Sequence, residues 1–252
     1  MRVMYLETNS GASGDMLNAS LFDLLSEDQQ QDYIKTMNGL FVDKVKAKAE
    51  NVDKSGIIGK KISFEIDGVE ESAETVAGKH HHHHTSYKEI KEIIAQFNID
   101  EKTKKDALDV YSILASAESK VHGTKVDEIH FHEVGHLDAI CDITGASYLV
   151  NQLGVDRIIS TPVPTGFGTV KCAHGLLPVP APATAEILKG MVSYQGNVES
   201  EMLTPTGAAI LKHFVEDFGE RPIGRIEKIG IGMGTKTFPN SSNMLRSFLI
   251  EV

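Results

Sequence analysis

The chain has 252 residues, 41% of them hydrophobic, enough to bury a substantial core in one large domain or two small ones. A formal net charge of −10 and a pI near 5.5 argue against nucleic-acid binding, which needs concentrated basic residues, and favour cations as partners. Two cysteines, Cys141 and Cys172, rule out a disulfide framework and a four-cysteine zinc site, so the expected compartment is a reducing cytoplasm.

The opening MRVMYLETNSG is too short and too soon charged for a signal peptide. No apolar run approaches the roughly 18 residues of a membrane span. Val3, Met4, Tyr5 and Leu6 read as a buried first strand, ended by the turn-rich stretch 9–14. A helix follows, with Leu17, Leu21, Leu24 and Leu25 at helical spacing and Asp15 in its first turn, where a carboxylate suits the dipole. Residues 55–67 alternate polar and apolar as a half-exposed strand does. From Gly68 to Thr85 the chain turns polar and ends in five histidines, so 68–85 is expected to be a flexible His-rich loop.

SYKEIKEIIAQF predicts an amphipathic helix with Tyr87, Ile90, Ile94 and Phe97 on one side, and a second helix is predicted over about 101–121. In EIHFHEV, Ile129 and Phe131 alternate with His130, His132 and Val134, which predicts a strand. A helix over about 137–153 then buries Leu137, Ile140, Cys141 and Tyr148 and displays Asp138 and Asp142 one turn apart. Residues 157–160 begin another strand, and a Gly/Pro-rich segment leads into a helix at 183–188. Thr204-Pro205-Thr206-Gly207 opens a helix ending near Phe214, with Pro205 suited to its first position, and strands close the chain at 226–233 and 245–252. The fold expected is α/β or α+β, a mixed sheet flanked by helices, as a single domain over 1–252.

His132-Glu133-Val134-Gly135-His136 matches the zinc-protease pattern His-Glu-x-x-His, which needs a helix to put both histidines on one face. Strand alternation opposes that, and Gly135 would cost about 1 kcal/mol inside a helix. A strand carrying His130 and His132, a turn at Gly135 and a helix carrying Asp138 and Asp142 make a cation site the better reading, with His136 beside them. His80, His81, His82, His83 and His84 suit capture of Ni²⁺ or Zn²⁺ two or three imidazoles at a time, since neighbours point to alternating sides. Ser10, Ser13, Gly14 and Asp15, and likewise Thr204 and Thr206, sit in small-residue loops before helices, where backbone N–H groups approach a phosphate. GIGMGTK adds Lys236, and Cys172-Ala173-His174 offers a thiolate and an imidazole to a soft metal.

Taken together, SGASGDML, the histidine run before SYKEI, VHG, IHFHEVG with LDAICDI, TPVPTGFGTVKCAHGLLPVPAPATAEILKG, LTPTGAA and GIGMGTK resemble the LarC nickel-insertion family in order and spacing. The resemblance covers nearly the whole chain. It implies a nickel chelatase, or cyclometallase of the lyase class, inserting Ni²⁺ into pyridinium-3,5-bisthiocarboxylic acid mononucleotide. The product is the nickel-pincer nucleotide of lactate racemase, and CTP is consumed with Mg²⁺ or Mn²⁺. Turn amides with Lys171 or Lys236 would hold the substrate phosphate; His130, His132, Glu133 or His174 would take the ring proton; His130, His132, His136, Asp138 and Asp142 would lie near the metal. Apo-lactate racemase and further copies of the chain are the implied partners. The family continues into a C-terminal CTP-binding domain, whereas this chain stops at Val252. The competing reading is a non-catalytic nickel-storage metallochaperone working through His80 to His84.

Overall fold

The first strand is apolar on both faces because both faces are covered: Met4 and Leu6 enter the main core, while Val3 and Tyr5 join Ile159, Phe248 and Ile250 in a small cluster on the opposite side. The computed structural model describes residues 1–41, 44–66, 68–70, 85–131, 134–238 and 242–252. In chain order it begins with β1 (Arg2–Glu7), α1 (Gly14–Asp23), α2 (Glu27–Leu40), β2 (Val45–Lys54), β3 (Ile57–Ile66), β4 (Val69–Glu70) and β5 (Thr85–Ser86). Next come α3 (Tyr87–Gln96), α4 (Glu101–His122), β6 (His130–Phe131), α5 (Leu137–Leu153), β7 (Arg157–Ser160) and β8 (Val163–Pro164). The remainder is β9 (Thr169–Cys172), β10 (Gly175–Pro178), α6 (Pro182–Ile187), β11 (Ser193–Tyr194), α7 (Pro205–Phe214), β12 (Asp217–Phe218), β13 (Arg225–Met233) and β14 (Met244–Glu251).

The main sheet is mixed, in the order β12-β7-β1-β14-β13-β3-β2, with β4 paired to β3. β14 is antiparallel to both neighbours, pairing Tyr5 with Phe248 on one side and Gly232 with Leu245 on the other. The α1 helix lies on this sheet against β13, β3 and β14, and α5 packs on its far side, followed by α4. Glycines allow the close approach of α1: a Cβ at Gly230 would fall 2.0 Å from the carbonyl oxygen of Ser20, and one at Gly232 would fall 2.2 Å from that of Met16. The glycines of GIGMGTK therefore serve helix-on-strand packing. No helix among the described residues is long and apolar enough to cross a membrane.

Caps fix the helix ends. Ser26 with Gln29 and Ser86 with Glu89 form capping boxes, and Asp100 accepts from the Thr103 amide at 2.9 Å. α4 and α5 end on left-handed Gly123 and Gly154. Two expectations need correction. Among the described residues the strand in EIHFHEV covers His130–Phe131, paired with Thr85–Ser86, and Val134 already lies in a turn, buried while His130 is exposed. The turn is at 134–135, where Gly135 packs against Phe131 too closely for a side chain. The first helix stops at Asp23, although Leu24 and Leu25 beyond it still enter the core. Most of the expected His-rich loop, including His80 to His84, lies outside the described residues, as do His132 and Glu133.

Candidate functional site

Three helices begin at one cleft of about 310 Å³. Ser13, Gly14 and Asp15 come from the start of α1, Asp138 and Asp142 from the first turns of α5, and Thr204 and Thr206 from the start of α7. Ile62, Ser63 and Phe64 of β3, Glu201, Met202, and Gly234 to Lys236 after β13 complete much of the wall. The backbone builds this convergence. The Ala12 amide donates to the Met202 carbonyl at 2.9 Å, and the Thr204 amide donates to the Ala12 carbonyl at 3.2 Å, a parallel bridge between distant loops. Gly11 and Gly207 are required by it: a Cβ at Gly11 would meet the Met202 carbonyl oxygen at 2.1 Å, and one at Gly207 would meet that of Ala12 at 2.4 Å.

The electrostatics of the cleft have two parts. Three N-terminal helix ends offer amide donors and positive dipole ends, with Lys236 adding an ammonium. Asp15, Asp138, Asp142 and Glu201 add carboxylates to the same wall. Lys236 Nζ lies 3.5 Å from Glu201 Oε2, and Asp15 accepts from the Ser13 hydroxyl and, at 3.4 Å, from Thr235. Beneath the 234–236 loop the Lys54 ammonium donates to the Gly234 carbonyl and, at 2.8 Å, to that of Lys236; burial lowers its pKa. The Asn243 amide donates to the Lys236 carbonyl at 2.7 Å from the other side.

Asp142 is held by a buried polar chain. Asn18 Nδ2 donates to the Gly14 carbonyl at 2.9 Å, the Asp142 carbonyl at 2.8 Å and Asp142 Oδ1 at 3.3 Å, while the Tyr33 hydroxyl donates to Asn18 Oδ1 at 3.0 Å. Burial, reinforced by repulsion from Asp15 and Asp138, pushes the Asp142 carboxyl well above the usual carboxylate range. Cys141, beside it in sequence, is buried, and its thiol is driven up by that burial, which makes it a core residue and not a thiolate ligand.

Of the residues singled out from sequence, the cleft gathers Ser13, Gly14, Asp15, Asp138, Asp142, Thr204, Thr206 and Lys236. The described lining does not include Ser10, His130, His136, Lys171 or His174. His136 is the N-cap of α5 with no capping bond from its side chain, and Lys171 and His174 belong to the exposed β9–β10 hairpin. Sequence reasoning missed Asn18, Tyr33, Glu201 and Asn243. Asn18 was detectable as a polar residue one turn after Gly14 on a buried helix, whereas Glu201 stands in no motif. It also missed His122, which ends α4 and meets the His174 ring at a centroid distance of 4.9 Å.

Among the described residues, one group brings three potential ligand atoms close enough to share an ion, and it lies outside the cleft: Asp106, Asp109 and His213. Its donors are engaged: Asp106 accepts from His213 at 3.0 Å and from Asn151 at 3.0 Å, and Asp109 pairs with Lys105 at 2.7 Å. Burial would raise the Asp106 carboxyl, but the Asn151 and His213 hydrogen bonds outweigh it and hold its pKa down. This cluster clamps α4, α5 and α7 together.

A family profile described as nickel insertion protein matches residues 4–252. A pyridinium-3,5-bisthiocarboxylic acid mononucleotide nickel insertion protein of Geobacillus kaustophilus is 37% identical over 255 residues, covering 100% of this chain and 60% of that protein. Proteins of the same description from Desulfitobacterium hafniense and Clostridium kluyveri are 40% and 39% identical, covering 95% and 100% of this chain and 57% and 62% of their own lengths. The chain thus spans about 60% of such relatives. No solved structure matches it. With a profile matching almost every residue and relatives aligned along its whole length, the chain belongs to the nickel insertion protein family.

Proposed function

We propose that this chain carries the site at which Ni²⁺ is inserted into pyridinium-3,5-bisthiocarboxylic acid mononucleotide, and that the cleft at the starts of α1, α5 and α7 is that site. The observation that carries the reading is the pairing, in one cleft, of three helix N-termini and Lys236 with four carboxylates. The substrate named for the relatives has a phosphate at one end and, at the other, a pyridinium ring bearing two thiocarboxylic acid groups. Amide donors from 13–15 and 204–206 with Lys236 suit the phosphate, and Asp138 and Asp142 suit the incoming cation. Nickel here is substrate. Its product would be the nickel-pincer nucleotide, delivered to apo-lactate racemase by this chelatase of the lyase class. CTP with Mg²⁺ or Mn²⁺ would be handled by a C-terminal CTP-binding domain, as the family resemblance implies.

The test is reconstitution of the chain with the mononucleotide, Ni²⁺ and CTP, with the C-terminal region of a relative supplied separately, read out as lactate racemase activation. Asp142→Asn and Lys236→Ala are expected to reduce insertion at least about tenfold, the effect of losing one good polar contact of about 1.4 kcal/mol. Wild-type insertion rates in both variants would overturn the assignment of the cleft.

A further inference from the structure

Two histidines from opposite parts of the chain meet outside the described lining of the cleft. His122 is the last residue of α4, and His174 sits in the turn of the β9–β10 hairpin between Cys172 and Gly175, which has a φ of +95°. Their ring centroids are 4.9 Å apart with the planes inclined at 39°. One turn back on α4, Glu118 Oε2 lies 3.3 Å from His122 Nε2, and both side chains are only partly exposed, 20% and 30%.

We propose that His122 and His174 form a metal site that takes a divalent transition ion of borderline softness through their imidazole nitrogens, with Glu118 orienting the His122 ring. Imidazole–metal bonds are about 2.0–2.1 Å, so nitrogens sharing an ion stand about 3 Å apart, which the observed ring separation accommodates. A carboxylate on one imidazole nitrogen fixes the tautomer and makes the other nitrogen a better ligand, the arrangement that Glu118 and His122 present. The carbonyl end of α4 adds negative potential at the same point. The site is anchored to the cleft by backbone: the segment leading into the hairpin bridges Gly166 to Glu201, and Glu201 lines the cleft. The identity of the ion as nickel rests on the proposed function; the existence of the site does not.

The test uses the full chain with His80 to His84 replaced by alanine, titrated with Ni²⁺ alone. Bound metal is measured by equilibrium dialysis, and the histidine ring signals are followed by NMR. The expected result is one nickel per chain with selective paramagnetic broadening of the His122 and His174 rings. His122→Ala and His174→Ala are each expected to lower affinity at least about tenfold, and Glu118→Gln about 10- to 100-fold. Circular dichroism and thermal melts of the variants establish that they fold. Unchanged nickel affinity in folded His122→Ala and His174→Ala chains, or broadening confined to other histidines, overturns the proposal. If nickel binds the pair while cleft variants still insert it, the cleft reading falls and this site stands. If mononucleotide binds the cleft while the two rings ignore nickel, this site alone falls.

Discussion

Asp142 Oδ2 lies 2.5 Å from the point at which a side chain on Gly14 would begin. The small residue at the head of α1 therefore makes room for a carboxyl from α5, and the two helices meet at that atom. Gly14→Ala is expected to destabilise the protein by about 1–3 kcal/mol through overpacking, and to weaken mononucleotide binding because the displaced group lines the cleft. Chemical denaturation with parallel ligand titration checks both. An alanine variant of unchanged stability would mean that Asp142 moves aside without cost.

The raised pKa of Asp142 has a definite sign for stability. A carboxyl whose folded-state pKa lies above its unfolded value of about 3.9 binds its proton more tightly when folded, so it costs stability as pH rises from that value through the folded pKa. Asp142→Asn removes this cost. The variant should melt higher than the parent at pH 7, with the gain shrinking toward zero as pH falls to about 3.9. Melts across that range decide the matter, and a gain independent of pH would refute it.

The Tyr33 hydroxyl supports the same carboxyl through Asn18. Tyr33→Phe leaves the buried Asn18 oxygen without that donor, at an expected cost of about 1–3 kcal/mol. The urea midpoint should fall with an unchanged m value. Substrate affinity is expected to fall as well, because Asn18 would lose its fixed orientation beside Asp142.

Replacing His80 to His84 separates insertion from storage. Insertion under excess Ni²⁺ should continue at the parental rate, while total bound nickel per chain should drop. Loss of insertion at saturating nickel would make the histidine run part of the reaction, and loss of all bound nickel would favour the metallochaperone reading.

Local chemistry was readable in the sequence wherever it acts over one or two turns. The Ser86–Glu89 box, Pro205 at the start of α7 and the continuous apolar run of Val3 to Leu6 all signal structure from within a few residues. α2 and β2 were not assigned, since 27–40 is polar with few apolar anchors beyond Tyr33 and Met37, and the outer half of β2 is exposed. The loops at 13–15, 204–206 and 234–236 each carried only a local hint of anion binding, and nothing in them pointed to one another. Their meeting depends on the bridge between Ala12 and Leu203, which no local pattern encodes. Gly14 was read as room for a phosphate, but the structure uses it first as room for Asp142. His122 escaped notice because its partner, His174, is on a hairpin remote in sequence.

The position of β14 governs when the protein becomes competent. β12, β7 and β1 make one half of the sheet, β13, β3 and β2 make the other, and β14 is the strand hydrogen-bonded to both. The cleft straddles that seam, drawing Ser13 from the loop after β1, Lys236 from the loop after β13 and Asn243 from the residue before β14. During synthesis the two halves emerge without the strand that zips them, and such long-range pairing is slow. Ligand affinity should consequently arise in the last phase of refolding, after most helical signal has returned.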